Sequence, residues 1–160
     1  MNAPLTYPSL DHDLREVVEA IFDSMLHLPL TTEDRPPVTP ANCLNAVIPF
    51  KGSWNGVVAL RCGAGQGRQL AARFLSLPPE ELAETLICDT LGELANMIAG
   101  NLKSVFARDI RLSPAAVTCS PQEIELPVPA TIEERCCFQS AEGPFCVAVL
   151  AAPGEPRLPW

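Results

Sequence analysis

Residues 88–104 read Cys88-Asp-Thr-Leu-Gly-Glu-Leu-Ala-Asn-Met-Ile-Ala-Gly-Asn-Leu-Lys-Ser104, and the order of polar and apolar side chains predicts an amphipathic helix. At about 100° per residue, positions spaced i, i+4, i+7 and i+11 fall within roughly 60° of one another. These positions form what we call the polar strip: Asp89, Glu93, Asn96 and Gly100. The opposite side should face a core, and its residues are Leu91, Leu94, Ile98, Leu102 and Val105.

Two glycines inside this predicted helix need an explanation, because each costs roughly 1 kcal/mol relative to alanine. Gly92 lies between the two sides, with Ala95 and Ala99. Gly100 lies on the polar strip, where core packing does not require a small residue, and a bare backbone there lets another molecule approach closely. Asn96 is a poor helix former and lies in the middle of the strip rather than at a cap. The plain alternative is that the strip is simply solvated, as on most surface helices.

Composition limits the classes of partner. The chain has 160 residues, 48% of them hydrophobic, which suits one folded domain with a real core. Its formal net charge of −8 argues against a nucleic-acid partner, since no basic surface is available to neutralise phosphates. No apolar run reaches the roughly 18 residues of a membrane span. The N-terminus lacks the pattern of a secretory signal, so we expect a cytoplasmic protein without a membrane partner.

Seven cysteines are many for this length, at positions 43, 62, 88, 119, 136, 137 and 146. The odd count, the absence of a Cys-x-x-Cys pair and the apolar runs around Cys62, Cys119 and Cys146 indicate reduced, buried cysteines. Both histidines, His12 and His27, lie on the first predicted helix, far along the chain from most cysteines. We therefore predict no metal site.

The remaining chain is read as helices followed by strands. The first predicted helix covers residues 10–28 and is ended by Pro29; a loop follows at 30–40, then a second helix at 67–76. The central helix should open at Pro78 and run to about Arg108. The predicted strands are 42–50 and 54–62, which form a hairpin, then 115–120, 123–126, 131–140 and 145–152.

This order predicts an α+β domain over residues 10–152, with a lead-in at 1–9 and a proline-containing tail at 153–160. The glycine-rich run Gly63-Ala-Gly-Gln-Gly67 lacks the Gly-Lys-Ser/Thr ending of a phosphate loop, so we interpret it as a strand-to-helix turn. Trp54 could bind a ligand, but we expect it to anchor the edge of the core.

The segment Gly-Glu-Leu-Ala-Asn-Met-Ile-Ala-Gly-Asn at residues 92–101, with Asp89 before it, resembles the central helix of the CheX/CheC family of chemotaxis phosphatases. The strand Gly52-Ser-Trp-Asn-Gly-Val-Val-Ala-Leu60, the helix Leu70-Ala-Ala-Arg-Phe-Leu75 and Leu112-Ser-Pro114 agree with it. The resemblance covers roughly residues 10–152. It implies a CheC-like fold, an antiparallel or mixed sheet with long helices packed on one side.

The resemblance also implies a function. Members of the family bind the phosphorylated receiver domain of a response regulator such as CheY and speed hydrolysis of its aspartyl phosphate. By position, Glu93 would pair with a receiver lysine and Asn96 would orient the attacking water. Asp89, Gly100 and Lys103 are the candidate partner-binding residues beside them. No cofactor is expected in this chain, because the Mg²⁺ ion belongs to the receiver.

Some features favour CheX over CheC. A proline that CheC-type motifs often carry beyond the asparagine is replaced here by Cys119, and the first helix has Glu19 where a second CheC motif would need asparagine. One site per chain is therefore expected. Two other interpretations stay open: a non-catalytic module that docks a receiver or a flagellar-switch component, and an oligomerisation domain.

The CheX resemblance further implies a homodimer with sheet strands joined across two chains. Phe145–Ala152 is an apolar strand that could be central in the sheet, and with Cys136-Cys-Phe138 it offers little charge to protect an exposed edge. Pairing edges between chains would satisfy the open backbone groups. The alternative is that these strands are interior and the monomer is closed.

Overall fold

The computed structural model of the chain describes residues 10–33, 42–106, 109–119 and 131–152. The predicted lead-in, the predicted tail and the strand expected at 123–126 lie outside these residues.

Within the described residues there are three α-helices, α1 (Leu10–Leu26), α2 (Ala64–Leu75) and α3 (Glu84–Phe106). Helix α1 ends two residues earlier than predicted, because His27 takes a left-handed conformation with φ of 50°. Helix α3 begins later than predicted, because Pro79–Glu81 form a separate 3₁₀ turn. Helix α2 begins earlier, inside the glycine-rich run expected as a turn.

The strands of the described residues follow in this order: β1 (Thr31–Glu33), β2 (Cys43–Gly52), β3 (Gly56–Gly63), β4 (Ile110–Leu112), β5 (Ala116–Cys119), β6 (Thr131–Ser140) and β7 (Gly143–Ala151). They form one sheet in the order β1-β6-β7-β3-β2-β4, with β5 also paired to β2. Every pairing between described strands is antiparallel. The predicted α+β class is confirmed.

Strand β7 is central, between β6 and β3, as its apolar sequence indicated. Its interior position removes it as the exposed edge on which we based the physical argument for a dimer. The short strands β1 and β4 lie in stretches that the sequence did not predict as strands. Each has three residues, and each is held by a longer neighbour, β6 or β2.

The strands use alternate residues for two different faces. The face that meets the helices carries the main core, including Ile48 of β2, Leu60 of β3 and Val149 of β7, all at most 1% exposed. Trp54 is fully buried in this core, with its ring centroid 6.1 Å from that of Phe50, so the prediction that it anchors the core is confirmed. The other face carries a second, smaller apolar cluster: Val47, Val57, Ala59, Ala148 and Leu150.

Candidate functional site: the outer side of α3

Helix α3 buries the side that the sequence assigned to the core. Leu91, Leu94, Ile98 and Leu102 are at most 1% exposed, and the helix packs against α1, α2 and β2. Burying side chains of this size contributes about 1.5–3 kcal/mol each, so the rotation of α3 is fixed by its apolar side. Val105 was also predicted to face the core, but it is 37% exposed in the last turn of the helix.

The polar strip therefore points away from the core. Asp89, Glu93 and Asn96 are exposed, and Lys103 is exposed near the end of the helix. The strip side chains of Asp89, Glu93 and Asn96 form no hydrogen bond or ion pair with any described residue. Two carboxylates and an amide are thus presented on one side of a firmly packed helix, without a partner among the residues that the structure describes.

The two glycines of α3 have different surroundings. A Cβ atom added to Gly92 would lie 3.3 Å from Cβ of Ala115 and 3.5 Å from Cγ2 of Val117, so the segment that leads into β5 crosses close to the helix. A Cβ atom added to Gly100 would meet nothing within 4 Å. Gly92 is accounted for by packing inside the chain, whereas nothing described in this chain requires glycine at position 100.

The start of α3 is fixed by an arginine of α2. Nη1 of Arg68 donates hydrogen bonds to the carbonyl oxygens of Pro79, at 2.9 Å, and Leu82, at 2.8 Å. These carbonyls belong to the 3₁₀ turn and the link just before α3. A charge-assisted contact of this kind holds the entry of the helix to its neighbour. Arg68 is therefore a positioning contact for α3 that the sequence did not reveal.

The chemistry available on the strip is limited. An amide cannot act as a base, and the strip has no histidine, cysteine or arginine that could complete a self-contained hydrolytic site. A carboxylate can bind a cation on another molecule, and an amide can orient a water molecule or a phosphoryl oxygen. The arrangement suits a surface that contributes groups to a reaction centre held by a partner.

The oxidation state of one pair of cysteines differs from the prediction. Cys137 of β6 and Cys146 of β7 lie opposite each other and form a disulfide, so the prediction that all cysteines are reduced is wrong for this pair. The signal was present in the sequence. The two-residue turn at Ala141 and Glu142 pairs Ser140 with Gly143, and the same register brings the two cysteines together.

One group of possible metal ligands lies elsewhere, between α1 and β6. Ligand atoms of Asp11, Glu134 and Cys136 lie within 4.8 Å of one another. The thiol of Cys136 donates to Oδ1 of Asp11 at 3.2 Å, and Nε of Arg15 bonds the same oxygen at 3.1 Å. Burial and the Asp11 carboxylate raise the pKa of Cys136 to about 12. The Asp11 carboxylate is thus hydrogen-bonded to both Cys136 and Arg15, and the cluster links α1 to β6.

Comparison with known proteins connects the strip to a family. The family model described as chemotaxis phosphatase CheX matches residues 44–137, more than half of the chain, and this range includes the whole polar strip. A comparison with curated proteins finds no match. No described helix is long and apolar enough to span a membrane.

Several solved structures share the fold. The chemotaxis protein CheX from Vibrio vulnificus matches with a TM-score of 0.72 and 17% identity, over 94% of this chain and 99% of that one. A CheX–CheY–BeF₃–Mg²⁺ complex from Borrelia burgdorferi matches with a TM-score of 0.65 and 14% identity, over 87% and 94% of the two chains. A CheC-like superfamily protein from Shewanella matches with a TM-score of 0.66 and 15% identity, over 89% and 98%. At these identities, the likeness shows the fold.

The two glycines of α3 allow a matched test of this geometry. We expect Gly100→Ala to raise the free energy of unfolding by about 1 kcal/mol, because it removes the helix penalty of glycine and meets open space. Gly92→Ala should gain less or lose stability, because its new methyl group crowds Ala115 and Val117. Urea denaturation of both variants measures the difference. An equal gain at the two positions would contradict the close crossing at Gly92.

Proposed function

The chain belongs to the CheX family of chemotaxis phosphatases, and on this basis we propose that it binds a phosphorylated CheY-like receiver domain and stimulates hydrolysis of its aspartyl phosphate. The observation that carries the proposal is the exposed pair Glu93 and Asn96, less than one turn apart on the packed helix α3 and without a hydrogen-bond or ion-pair partner in the described part of the chain. A family member from Borrelia burgdorferi has been solved in complex with CheY, BeF₃ and Mg²⁺, which supports this class of partner.

We assign to Asn96 the role of orienting the water molecule that attacks the aspartyl phosphate. Phosphoryl transfer needs little covalent help from a protein, so catalysis comes mainly from positioning and electrostatic stabilisation. A side-chain amide offers both a donor and an acceptor, and it can hold an attacking water in line with the phosphorus atom. Because α3 is fixed by its buried side, the amide of Asn96 would enter the receiver site on a rigid support. The Mg²⁺ ion of the reaction is assigned to the receiver, with no cofactor in this chain.

Glu93 is assigned to a lysine of the receiver. Its carboxylate would form a charge-assisted contact with that cation and set the register of the complex. Asp89, Gly100 and Lys103 surround the pair and are assigned to partner contacts. Gly100 is the position where the partner's backbone or side chains could approach α3 most closely, since its Cβ position faces open space.

We expect Asn96→Ala to abolish most of the stimulated dephosphorylation without a loss of stability, because the residue is exposed. Removing one oriented polar group from such a centre lowers the rate by roughly 10²–10³. Phosphate release from phosphorylated CheY-like receivers of the same organism measures the effect. Gln69→Ala, another exposed amide removed from a helix, is the matched control and should retain full activity. Full activity of Asn96→Ala would refute the assigned role.

Glu93→Lys should weaken binding as well as turnover, because an attractive contact with the receiver lysine becomes repulsive. The dissociation constant for a receiver activated with beryllofluoride and Mg²⁺ measures this, by fluorescence titration at low and moderate salt. Glu80→Lys makes the same change of net charge in the 3₁₀ turn and serves as the control. Added salt should weaken the wild-type complex modestly. Equal affinity of Glu93→Lys and wild type would show that Glu93 does not contact a cation.

The same experiments separate the phosphatase from a docking adaptor. A wild-type chain that binds the activated receiver but leaves its phosphate lifetime unchanged would be a non-catalytic receiver-binding module. In that case Asn96→Ala would have no activity to lose, while Glu93→Lys would still weaken binding.

We also propose a cytoplasmic homodimer, as the family resemblance implies. The open edge that could support it is β6, because β1 pairs only with residues 137–139 and no other described strand covers the outer edge of residues 131–136. Edge pairing there would leave the polar strip of each chain free to reach a receiver.

Sedimentation equilibrium at micromolar concentration tests the dimer. We expect a mass near twice the 17.2 kDa of one chain, both with and without a reducing agent, because β6 edge pairing does not use the disulfide. A mass near that of one chain would refute the dimer and leave the monomer as the unit that meets the receiver.

A further inference from the structure

A groove runs between α1 and α3 next to the polar strip. Its volume is about 450 Å³, and it is lined on the α1 side by Val17, Ala20 and Ile21 and on the α3 side by Met97 and Asn101. Ile21 is 6% exposed and forms part of the core, so the base of the groove is apolar and firmly packed. The groove is therefore a concave apolar surface with a fixed floor.

The groove continues the polar strip around the helix. Met97 is four residues after Glu93, and Asn101 is four residues after Met97, so the three lie along successive turns on adjacent parts of the surface. Leu86 lies seven residues before Glu93 on the same side and is 36% exposed. A molecule that covers Glu93 and Asn96 is thus placed directly beside an apolar surface that faces α1.

The size of a specific interface requires an extension of this kind. A stable protein–protein contact buries roughly 800 Å² on each partner, which is much more than the three exposed side chains of the strip can supply. On the side of the strip away from α1, the segment before β5 packs close to Gly92. The α1 side offers the concave apolar surface that an interface centre needs.

The charge around the groove specifies the chemistry of its occupant. Glu16 is the acidic residue that lines the groove, on its α1 rim, and its exposed carboxylate also lies 3.5 Å from Nε2 of His12. Asp23 lies seven residues further along α1, and Glu93 lies one turn before Met97 on α3, both outside the lining. Among the described residues that line the groove there is no lysine or arginine, and the nearby Arg15 is bonded to Asp11. An apolar floor with Glu16 on its α1 rim and Glu93 one turn away on α3 matches an aliphatic side chain with a lysine or arginine beside it.

We propose that this groove binds an aliphatic side chain of the same receiver domain, next to a basic residue that contacts Glu16. The proposal rests on the proposed function, since it takes the receiver bound at Glu93 and Asn96 as its occupant. It assigns affinity and partner choice to the groove and hydrolysis to the strip. Because the groove does not touch the phosphate, filling it should change the dissociation constant and leave the rate at saturation unaltered.

Two substitutions test the groove from opposite directions. Ala20→Trp fills it with a side chain on an exposed helix position, and Glu16→Lys reverses the charge of its rim. The matched controls are Ala141→Trp, at an exposed alanine of the β6–β7 turn, and Glu19→Lys, on α1 but outside the groove lining. The probe is a CheY-like receiver of the same organism. It is activated with beryllofluoride and Mg²⁺ for binding, and phosphorylated for hydrolysis at saturating concentration.

We expect each groove variant to raise the dissociation constant about tenfold, as loss of an interface anchor does, with the saturated hydrolysis rate within about twofold of wild type. Both controls should bind as wild type, and circular dichroism should show that all four variants fold. If folded Ala20→Trp and Glu16→Lys bind the receiver with unchanged affinity, the groove proposal is overturned. If Asn96→Ala still loses its hydrolysis rate in that case, the proposed phosphatase function stands.

Other outcomes separate the two proposals further. If the groove variants bind the receiver more weakly, and the wild-type chain binds it without accelerating hydrolysis, the groove proposal is supported and the phosphatase proposal is refuted. A dimer that dissociates in Ala20→Trp while receiver affinity stays unchanged assigns the groove to a second copy and overturns its receiver role. If no receiver of the same organism binds the wild-type chain, both proposals fail.

Discussion

The packing of the apolar side of α3 against the sheet, α1 and α2 is the contact on which the site depends. Four side chains of α3 are almost fully buried: Leu91, Leu94, Ile98 and Leu102. They set the rotation of the helix about its axis, and this rotation determines which of its other residues reach solvent. The contact also orders the neighbours, since β2 supplies the surface beneath α3 and Arg68 of α2 holds the turn at its entry. A change that rotated α3 by one residue would move its side chains by about 100° and remove Glu93 and Asn96 from the exposed side.

The polar strip and its position on α3 were predictable from sequence because the 3.6-residue period of a long helix is a strong local signal. The packing role of Gly92 was harder to interpret, because it depends on Ala115, which is distant along the chain, whereas Trp54 was interpreted correctly and its aromatic neighbour Phe50 is only four residues away. The apolar pattern of α3 wrongly placed Val105 in the core, because the sequence of a helix does not show where its packing neighbours end. The CheX resemblance supplied the roles of Glu93 and Asn96, which the period by itself did not.

Features made by pairing were the ones that sequence reasoning missed. Strand β1 has no alternation of its own, and β4 is only three residues long, too short for its alternation to be a signal; both form by pairing with the longer strands β6 and β2. The groove combines α1 and α3, which are separated in sequence by β1, β2, β3 and α2, so no local pattern marks it. The Cys137–Cys146 disulfide is the exception. It follows from the register of a local hairpin with a two-residue turn, whereas the predicted strands 131–140 and 145–152 leave four residues between them and do not set these cysteines opposite each other.

The division of labour between the chain and its proposed partner has a consequence for specificity. If the receiver brings the phosphorylated aspartate and the Mg²⁺ ion, the strip needs only to offer one acid and one amide at a fixed position. Receivers that share this chemistry would make the same contacts with Glu93 and Asn96, so these two residues would not discriminate between receivers. Discrimination must then come from surfaces that touch parts of the receiver away from the phosphate. The groove between α1 and α3 adjoins the strip and has an apolar lining with Glu16 on its rim, so on our proposal selectivity between receivers is built there without any change at Glu93 or Asn96.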